Sequence, residues 1–208
     1  MFETAIWDYW ATRYERLYAQ HFVLAPSRHL LLEHLQIASP HPRRMLDLGC
    51  GIGQLAAELA DRFPAAHITA VDPAPKMIAR ARKVNARENV TYIHGVLDEL
   101  SDNDPFDVIV STHAFPYIAD KPTAMRGMYD LLRPGGKIII VQANTQNFYD
   151  RLVLLFVKLT VSKCAYLSTK VLGAMMADAG LVPGNVTPLP RPWFFPSIFL
   201  LQGVKEHS

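Results

Sequence analysis

The stretch Arg44-Met-Leu-Asp-Leu-Gly-Cys-Gly-Ile-Gly-Gln54 decides the fold of this chain. An apolar run typical of a strand leads into three alternating glycines, Gly49, Gly51 and Gly53, and helix-forming residues follow at once. Glycine tolerates positive φ and lets a ligand approach the main chain closely. The helix after the turn directs its free N–H groups and positive dipole end toward such a ligand. The order of strand, glycine turn and helix therefore predicts a site for a nucleotide-like ligand.

Length and composition are those of an ordinary globular protein. The chain has 208 residues, of which 50% are hydrophobic and 19% charged, and its formal net charge is +2. This length predicts one domain, and a near-neutral charge without a basic stripe argues against nucleic acid as a partner. The two cysteines, Cys50 and Cys164, form no CxxC pair, and the first residues contain no apolar signal core. We therefore expect a cytoplasmic protein without a transmembrane segment.

Strands and helices alternate after the glycine turn. We predict strands at 44–49, 67–71, 90–96, 106–111 and 137–141, and two last strands near 181–189 and 193–204. Helices are expected between the strands and also at 3–20, 27–37 and 168–179. Uniformly apolar strands separated by helices predict a parallel sheet that is covered on both faces.

The acid Asp72 indicates that the ligand carries ribose hydroxyl groups. Asp72 ends the second predicted strand, 23 positions after Gly49, where nucleotide-binding folds place an acid for ribose hydroxyls. Such a charge-assisted hydrogen bond contributes roughly 1.5–3 kcal/mol. The spacing Gly49-x-Gly51-x-Gly53 differs from the GxGxxG of nicotinamide-dependent oxidoreductases, but spacing alone leaves that class open.

Four motifs, in order, resemble those of the class I S-adenosylmethionine-dependent methyltransferases. They are LDLGCGIG (Leu46–Gly53), VDPAPKMIARAR (Val71–Arg82), FDVIVSTHAFPYI (Phe106–Ile118) and LLRPGGKIIIV (Leu131–Val141). The N-terminal WDYWATRYERL is similar to the opening helix of small-molecule members. The resemblance implies an α/β, Rossmann-like, doubly wound sheet of seven strands in the order 3-2-1-4-5-7-6, with the last strand antiparallel, N-terminal helices and a small apolar cap. It implies a single domain with a helical lid at 1–43, a cofactor-binding core at 44–144, a substrate cap at 145–166, and a last helix and strands at 167–208.

The resemblance implies S-adenosyl-L-methionine as the cofactor and assigns residues to it. Asp47 would hold the methionine amino group, Asp72 the ribose diol, and the Ser111 carbonyl would lie beside the amino-acid end. The implied cofactor-binding residues are Asp47, Gly49, Cys50, Gly51, Gly53, Gln54, Asp72, Pro73, Met77, Val96, Leu97 and Ser111. The family often has an adenine-binding acid where Val96 stands. Either Asp98 substitutes for it, or packing and the backbone at Leu97 hold the adenine.

The acceptor side is predicted from residues near the carboxyl edge of the sheet. His113 follows the fourth strand and is the candidate catalytic residue, as a base or an orienter; the alternative is a loop histidine bonded to backbone. Aromatic side chains are the candidates for substrate binding: Trp7, Trp10, Tyr14, Tyr117 and Tyr149. The apolar segment 148–161 is expected to be a cap, a buried or dimer-contact helix, or a weak membrane-surface helix. The histidines lack ligand spacing, so no metal is expected.

Together these features predict a methyltransferase that acts on an oxygen or nitrogen atom of a small, apolar or aromatic molecule. Alignment and desolvation carry much of such a reaction, and proximity alone can contribute roughly 7–11 kcal/mol. Two alternatives stay open. One is a cofactor-binding subunit that is non-catalytic or depends on a partner, and the other, less favoured, is an NAD(P)-dependent oxidoreductase.

Overall fold

The computed structural model describes residues 5–11, 20–100, 104–145, 148–160, 164–190 and 196–206. The helices in these ranges are α1 (Ala5–Trp10), α2 (Ala25–Ala38), α3 (Gln54–Arg62), α4 (Pro75–Val84), α5 (Lys121–Asp130), α6 (Phe148–Thr160) and α7 (Thr169–Asp178). The strands are β1 (Arg44–Leu48), β2 (His67–Asp72), β3 (Val90–His94), β4 (Phe106–Thr112), β5 (Leu132–Ala143), β6 (Leu181–Pro188) and β7 (Ile198–Lys205). A π-helical turn, Gln20–Leu24, leads directly into α2.

All seven strands form one sheet in the order β3-β2-β1-β4-β5-β7-β6. The first five strands are parallel, and β7 runs antiparallel to both β5 and β6. The predicted fold class and strand order are therefore confirmed. Because β1 lies between β2 and β4, the strand order reverses beside it, and the glycine turn opens at the carboxyl edge where ligands bind in such sheets.

Local signals set the ends of several helices. The side chain of Ser168 accepts a hydrogen bond from the Val171 amide and caps α7, as N-cap serines do. Gly180 follows the end of α7 with φ +94°, a conformation that glycine adopts without steric cost. Asp120 caps α5 in the same way, with its carboxylate accepting from the Thr123 amide at 3.0 Å.

The bounds of β3 and β5 differ by two or more residues from the predicted ones. β3 ends at His94, two residues early, because a turn and a short 3₁₀ helix, Leu97–Glu99, follow it. β5 begins at Leu132, which pairs with Phe106, and the Pro-Gly-Gly turn bulges out before pairing resumes at Lys137. The predicted start of the last strand at 193 lies outside the described residues.

The core has two layers, one on each face of the sheet. Neighbouring strand residues such as Ile139 and Ile140 point to opposite faces and belong to different apolar clusters. Helices α2, α3 and α4 cover the first cluster, and α5 and α7 cover the second. The face that carries α2 matters for the site, because α2 brings N-terminal residues to the carboxyl edge of the sheet.

Packing of α2 on the sheet can be tested with two substitutions in the same helix. Leu35 is fully buried, whereas Ile37 is 87% exposed. We expect Leu35→Ala to lower the free energy of unfolding by about 2–5 kcal/mol, since it leaves a cavity. Ile37→Ala should change it by less than about 0.5 kcal/mol. Denaturant unfolding measures both, and equal small effects would contradict the packing of α2.

Candidate active site at the carboxyl edge of the sheet

Three glycines with positive φ form the turn between β1 and α3. Their φ angles are +78°, +55° and +79° for Gly49, Gly51 and Gly53. A side chain at Gly49 would collide with the Ala114 methyl group, and one at Gly53 with the Tyr92 ring. A Cβ atom at Gly51 would meet no atom within 4 Å. Packing therefore requires the outer two glycines, and Gly51 faces open space that a ligand can enter.

Asp72 joins the glycine turn to the loop after β2. One carboxylate oxygen accepts a hydrogen bond from the Gly51 amide and the other from the Ala74 amide, both at 2.9 Å. Burial raises the pKa of Asp72, and these two amide bonds oppose the rise. Since a carboxylate has about four acceptor positions, Asp72 retains capacity for hydroxyl groups. The sequence predicted a ligand-binding acid here and missed its role in holding the turn.

Asp47, near the end of β1, is a buried carboxylate. It is 1% exposed, and among the described residues neither of its carboxylate oxygens has a partner with hydrogen-bond geometry; the Ala56 amide is near enough to lower its pKa. Burial is the main cause that raises the pKa of Asp47 to about 7; the charge of Asp72 adds to the rise, and that of Arg28 opposes it. An ionised carboxylate in this position is costly unless a cation or a donor meets it. Asp47 therefore fits a ligand that carries an ammonium group.

A cation network from the N-terminal part of the chain lies beside Asp47. The Nε atom of Arg28 donates to both carboxylate oxygens of Glu58, at 2.9 and 3.1 Å. Its Nη1 atom donates to the side-chain oxygens of Gln20 and Gln54, at 3.3 and 3.4 Å. The sequence analysis missed Arg28 and Gln20, because no motif or spacing links α2 to the glycine turn. The arrangement holds a guanidinium group within electrostatic range of the unpaired carboxylate.

His113 lies just after β4 with an unusual backbone and a fixed ring. Its φ is +56°, the one positive value at a non-glycine residue in the described part of the chain. Such strain concentrates at functional sites. The Nε2 atom lies 2.8 Å from the Oγ atom of Ser27, which is fully buried on α2. Burial, and then the charge of Arg28, lower the pKa of His113 to about 4. The imidazole is therefore neutral at pH 7.

Met77, Trp7 and Trp10 meet on the side of the turn next to β2. Met77 is buried in a small apolar cluster with Ala74 and Ile52, and both tryptophans pack against that cluster. They come from α1, which also contacts α4. The two tryptophans, predicted to bind substrate, thus lie beside the loops predicted to bind the cofactor.

Three other predicted cofactor residues have structural contacts. The Cys50 amide donates to the Val71 carbonyl oxygen at 3.1 Å. Ser111 is fully buried, and its Oγ atom donates to the Leu48 carbonyl oxygen at 3.0 Å. The Pro73 carbonyl oxygen lies 3.1 Å from the Nε2 atom of His94. Each contact fixes backbone near the carboxyl edge, and none occupies the open space at Gly51.

The loop after β3 holds the position where the family often has an acid. The Val96 amide donates to a carboxylate oxygen of Glu99 at 3.3 Å. Leu97 is 8% exposed and belongs to the core cluster on the α5 side. Both alternatives for adenine binding, Asp98 or packing and backbone at Leu97, stay predictions.

The remaining aromatic candidates fall in different places. Tyr117 packs edge-on against Trp7, with the ring centroids 5.0 Å apart. Tyr166 forms a side-chain hydrogen bond with Tyr117. Tyr149 is 38% exposed on α6, and Tyr14 lies outside the described residues. The structure therefore brings together Trp7, Tyr117 and Tyr166, the last of which the sequence analysis did not select.

The described residues contain neither a cluster of metal ligands nor a helix that could span a membrane. Their His, Cys, Asp and Glu side chains form no cluster that could hold a metal ion. Within the same ranges, no helix has both the length and the apolar character needed to cross a bilayer.

Residues 45–136 match a family described as a methyltransferase domain. A malonyl-[acyl-carrier protein] O-methyltransferase of Halalkalibacterium halodurans is 35% identical over 127 residues, covering 58% of this chain and 46% of the relative. A trans-aconitate 2-methyltransferase of Deinococcus radiodurans is 34% identical over 111 residues, covering 53% of this chain and 42% of the relative. The chain thus spans less than half the length of these curated relatives.

Solved methyltransferase structures share the whole fold. A chain from the complex between the Haloferax volcanii Trm112 methyltransferase activator and a methyltransferase superposes with a TM-score of 0.80 at 19% identity, covering 100% of this chain and 99% of that one. The N-methyltransferase NodS of Bradyrhizobium japonicum, solved with S-adenosyl-L-homocysteine, gives 0.69 at 19% identity, covering 86% of each chain. At such identities the likeness concerns the fold alone.

Asp47→Asn is expected to stabilise the ligand-free protein in a pH-dependent way. The pKa of Asp47 is about 7 in the folded protein against a usual value of 3.8, so wild-type stability falls as pH rises between these values. Asparagine does not ionise, so the Asp47→Asn variant does not lose stability in this way as pH rises. We expect its melting temperature to exceed the wild-type value by several degrees above pH 7, and the difference to shrink toward pH 4.

Scanning calorimetry across this pH range measures the difference. Asp130→Asn is the matched control, because Asp130 is exposed on α5, and its effect should be small at every pH. A variant at Asp47 that is less stable than wild type at alkaline pH would show that the carboxylate has a stabilising partner.

Proposed function

We propose that this chain transfers the methyl group of S-adenosyl-L-methionine to an oxygen or nitrogen atom of a small, apolar or aromatic molecule. The match of residues 45–136 to a methyltransferase domain family and the order of the seven strands support this proposal. The observation that carries this proposal is the buried, unpaired carboxylate of Asp47 beside the open glycine turn. The names of the relatives include an O-methyltransferase, which favours oxygen as the acceptor atom.

The residues at the carboxyl edge match the chemistry of this cofactor. Its amino-acid end is a zwitterion, for which Asp47 offers an anion and Arg28 a cation on the same side of the site. Asp72 has acceptor capacity for the ribose diol. Met77 and the neighbouring tryptophans provide an apolar surface for the adenine. When bound, the cofactor supplies a methyl group activated by an adjacent sulfonium.

The His113 ring is neutral at pH 7, as a base that takes a proton from the acceptor molecule must be. It is neutral at pH 7 because burial and the Arg28 charge lower its pKa to about 4. Ser27 fixes the ring through Nε2, which leaves Nδ1 to meet the acceptor. So low a pKa makes His113 a weak base, which suits orienting a hydroxyl or carboxyl acceptor more than full removal of its proton.

A second candidate function is a catalytic subunit that depends on a partner. Its support is a likeness of fold, over the full length of this chain, to a chain from a complex that contains a methyltransferase activator. Such a subunit would bind the cofactor and show no turnover alone. The two candidates therefore differ in turnover and not in cofactor binding.

Binding of S-adenosyl-L-homocysteine tests the cofactor site. We expect calorimetric titration to show one site per chain, no binding of NADH, and affinity at least about tenfold lower in Asp47→Asn, because a charge-assisted hydrogen bond contributes roughly 1.5–3 kcal/mol. Asp130→Asn is again the control and should bind as the wild type does. Folded wild-type protein that binds no S-adenosyl-L-homocysteine would overturn the proposed function.

His113→Asn tests the acceptor side, since asparagine tolerates positive φ better than most residues. We expect affinity for S-adenosyl-L-homocysteine to change little and turnover to fall about 10²-fold or more. The acceptor is the first compound from a screen of carboxylic acids and phenols that yields S-adenosyl-L-homocysteine. His29→Asn, at an exposed position of α2, is the control. Unchanged turnover in His113→Asn would remove His113 from the mechanism.

A further inference from the structure

Helix α6 is fixed to the protein by its inner side. Asp150 is fully buried, and one of its carboxylate oxygens accepts a hydrogen bond from the Ser197 amide at 2.8 Å. Leu154, one turn later, is 5% exposed. The Nε atom of Arg151 donates to the Thr145 carbonyl oxygen at 2.9 Å. These contacts set which face of the helix points outward.

The outward face of α6 is apolar. Phe148 is 82% exposed, Leu152 56% and Leu155 54%. These residues follow the i, i+4, i+7 spacing that aligns side chains along one helix face, and Tyr149 adjoins them at 38% exposure. The other large exposed hydrophobic residues in the described ranges are scattered over α1, α2, α7 and β6. A contiguous apolar patch of this kind marks an interaction surface.

Apart from Asp150, the charged residues of the segment 148–163 are basic. Arg151 is exposed on α6, and the sequence continues with Lys158 at i+7 and Lys163 soon after. Asp150 is the one acid between 148 and 163, and it is buried and bonded on the inner side. In the described part of the segment, the outer side therefore combines apolar side chains with the cation of Arg151.

From these observations we propose that α6 lies on an anionic lipid surface, with Phe148, Leu152 and Leu155 inserted among the lipids and Arg151 at the headgroups. Cations beside an apolar helix face are the pattern of interfacial helices. A second copy of the chain fits less well, because a two-fold contact would bring like charges together. The thirteen residues of α6 extend roughly 20 Å, which suits a helix lying in the interface.

Co-sedimentation of the full chain with lipid vesicles tests this proposal. We expect binding to equimolar phosphatidylcholine and phosphatidylglycerol, and weak binding to phosphatidylcholine alone or at high salt. The double variant Leu152→Glu, Leu155→Glu should lower the partition coefficient by about tenfold or more. The control is Val182→Glu, Val186→Glu, which adds the same charge at positions of β6 that are 47% and 45% exposed.

Two more variants separate insertion from charge attraction. Phe148→Ser, at the most exposed of the apolar side chains that the structure describes on α6, should weaken binding without a change in charge. Arg151→Gln should weaken it about fivefold on anionic vesicles alone. Wild-type protein that does not bind anionic vesicles would overturn the proposal, as would equal losses in the α6 and β6 double variants. Concentration-dependent dimerisation that is abolished by the α6 variants, without vesicle binding, would assign the face to a second copy instead.

Discussion

The carboxyl edge of the sheet depends on two hydrogen bonds that Asp72 accepts. They connect the glycine turn after β1 to the loop after β2, and thereby hold Gly51 at positive φ against open space. A parallel sheet places both loops at one edge, but it does not set their distance. The carboxylate of Asp72 helps to set it, since its two oxygens meet amides from both loops, and the Val71 carbonyl oxygen adds bonds from the Gly49 and Cys50 amides. The position of the open space at Gly51 therefore depends on this connection between the two loops.

Electrostatics at the site are arranged around a single cation. Arg28 faces Asp47 and His113, and its charge lowers the pKa of each. For Asp47 the effect favours the charged form, whereas for His113 it favours the neutral form. The guanidinium itself is held by Glu58 and two glutamines. One partly buried charge thus favours the ionised form of Asp47 and the neutral form of His113 in the same candidate site.

The sequence predicted the parts of the fold that depend on local pattern. Alternating apolar runs, glycines and capping residues located the strands and helices, and the resemblance supplied the order of the sheet. Sequence separation hid the contacts made by α2, because Ser27 meets His113 across 86 positions with no motif to connect them. Periodicity also does not say which face of an apolar helix points inward. For α6 the buried acid Asp150 decides it, and a lone acid in an apolar run is a weak signal.

Ser27 and Arg28 precede the segment that matches the methyltransferase domain family, which begins at residue 45. The candidate site is therefore assembled from two stretches of chain, one before the matched segment and one inside it. Residues of the glycine turn must keep their backbone angles whatever the acceptor is. Helix α2, which carries Ser27, has no residue that must adopt positive φ, and its packing depends on its buried leucines. On the proposed function, a change in this N-terminal segment would alter the surroundings of His113 and leave the glycine turn and Asp72 as they are.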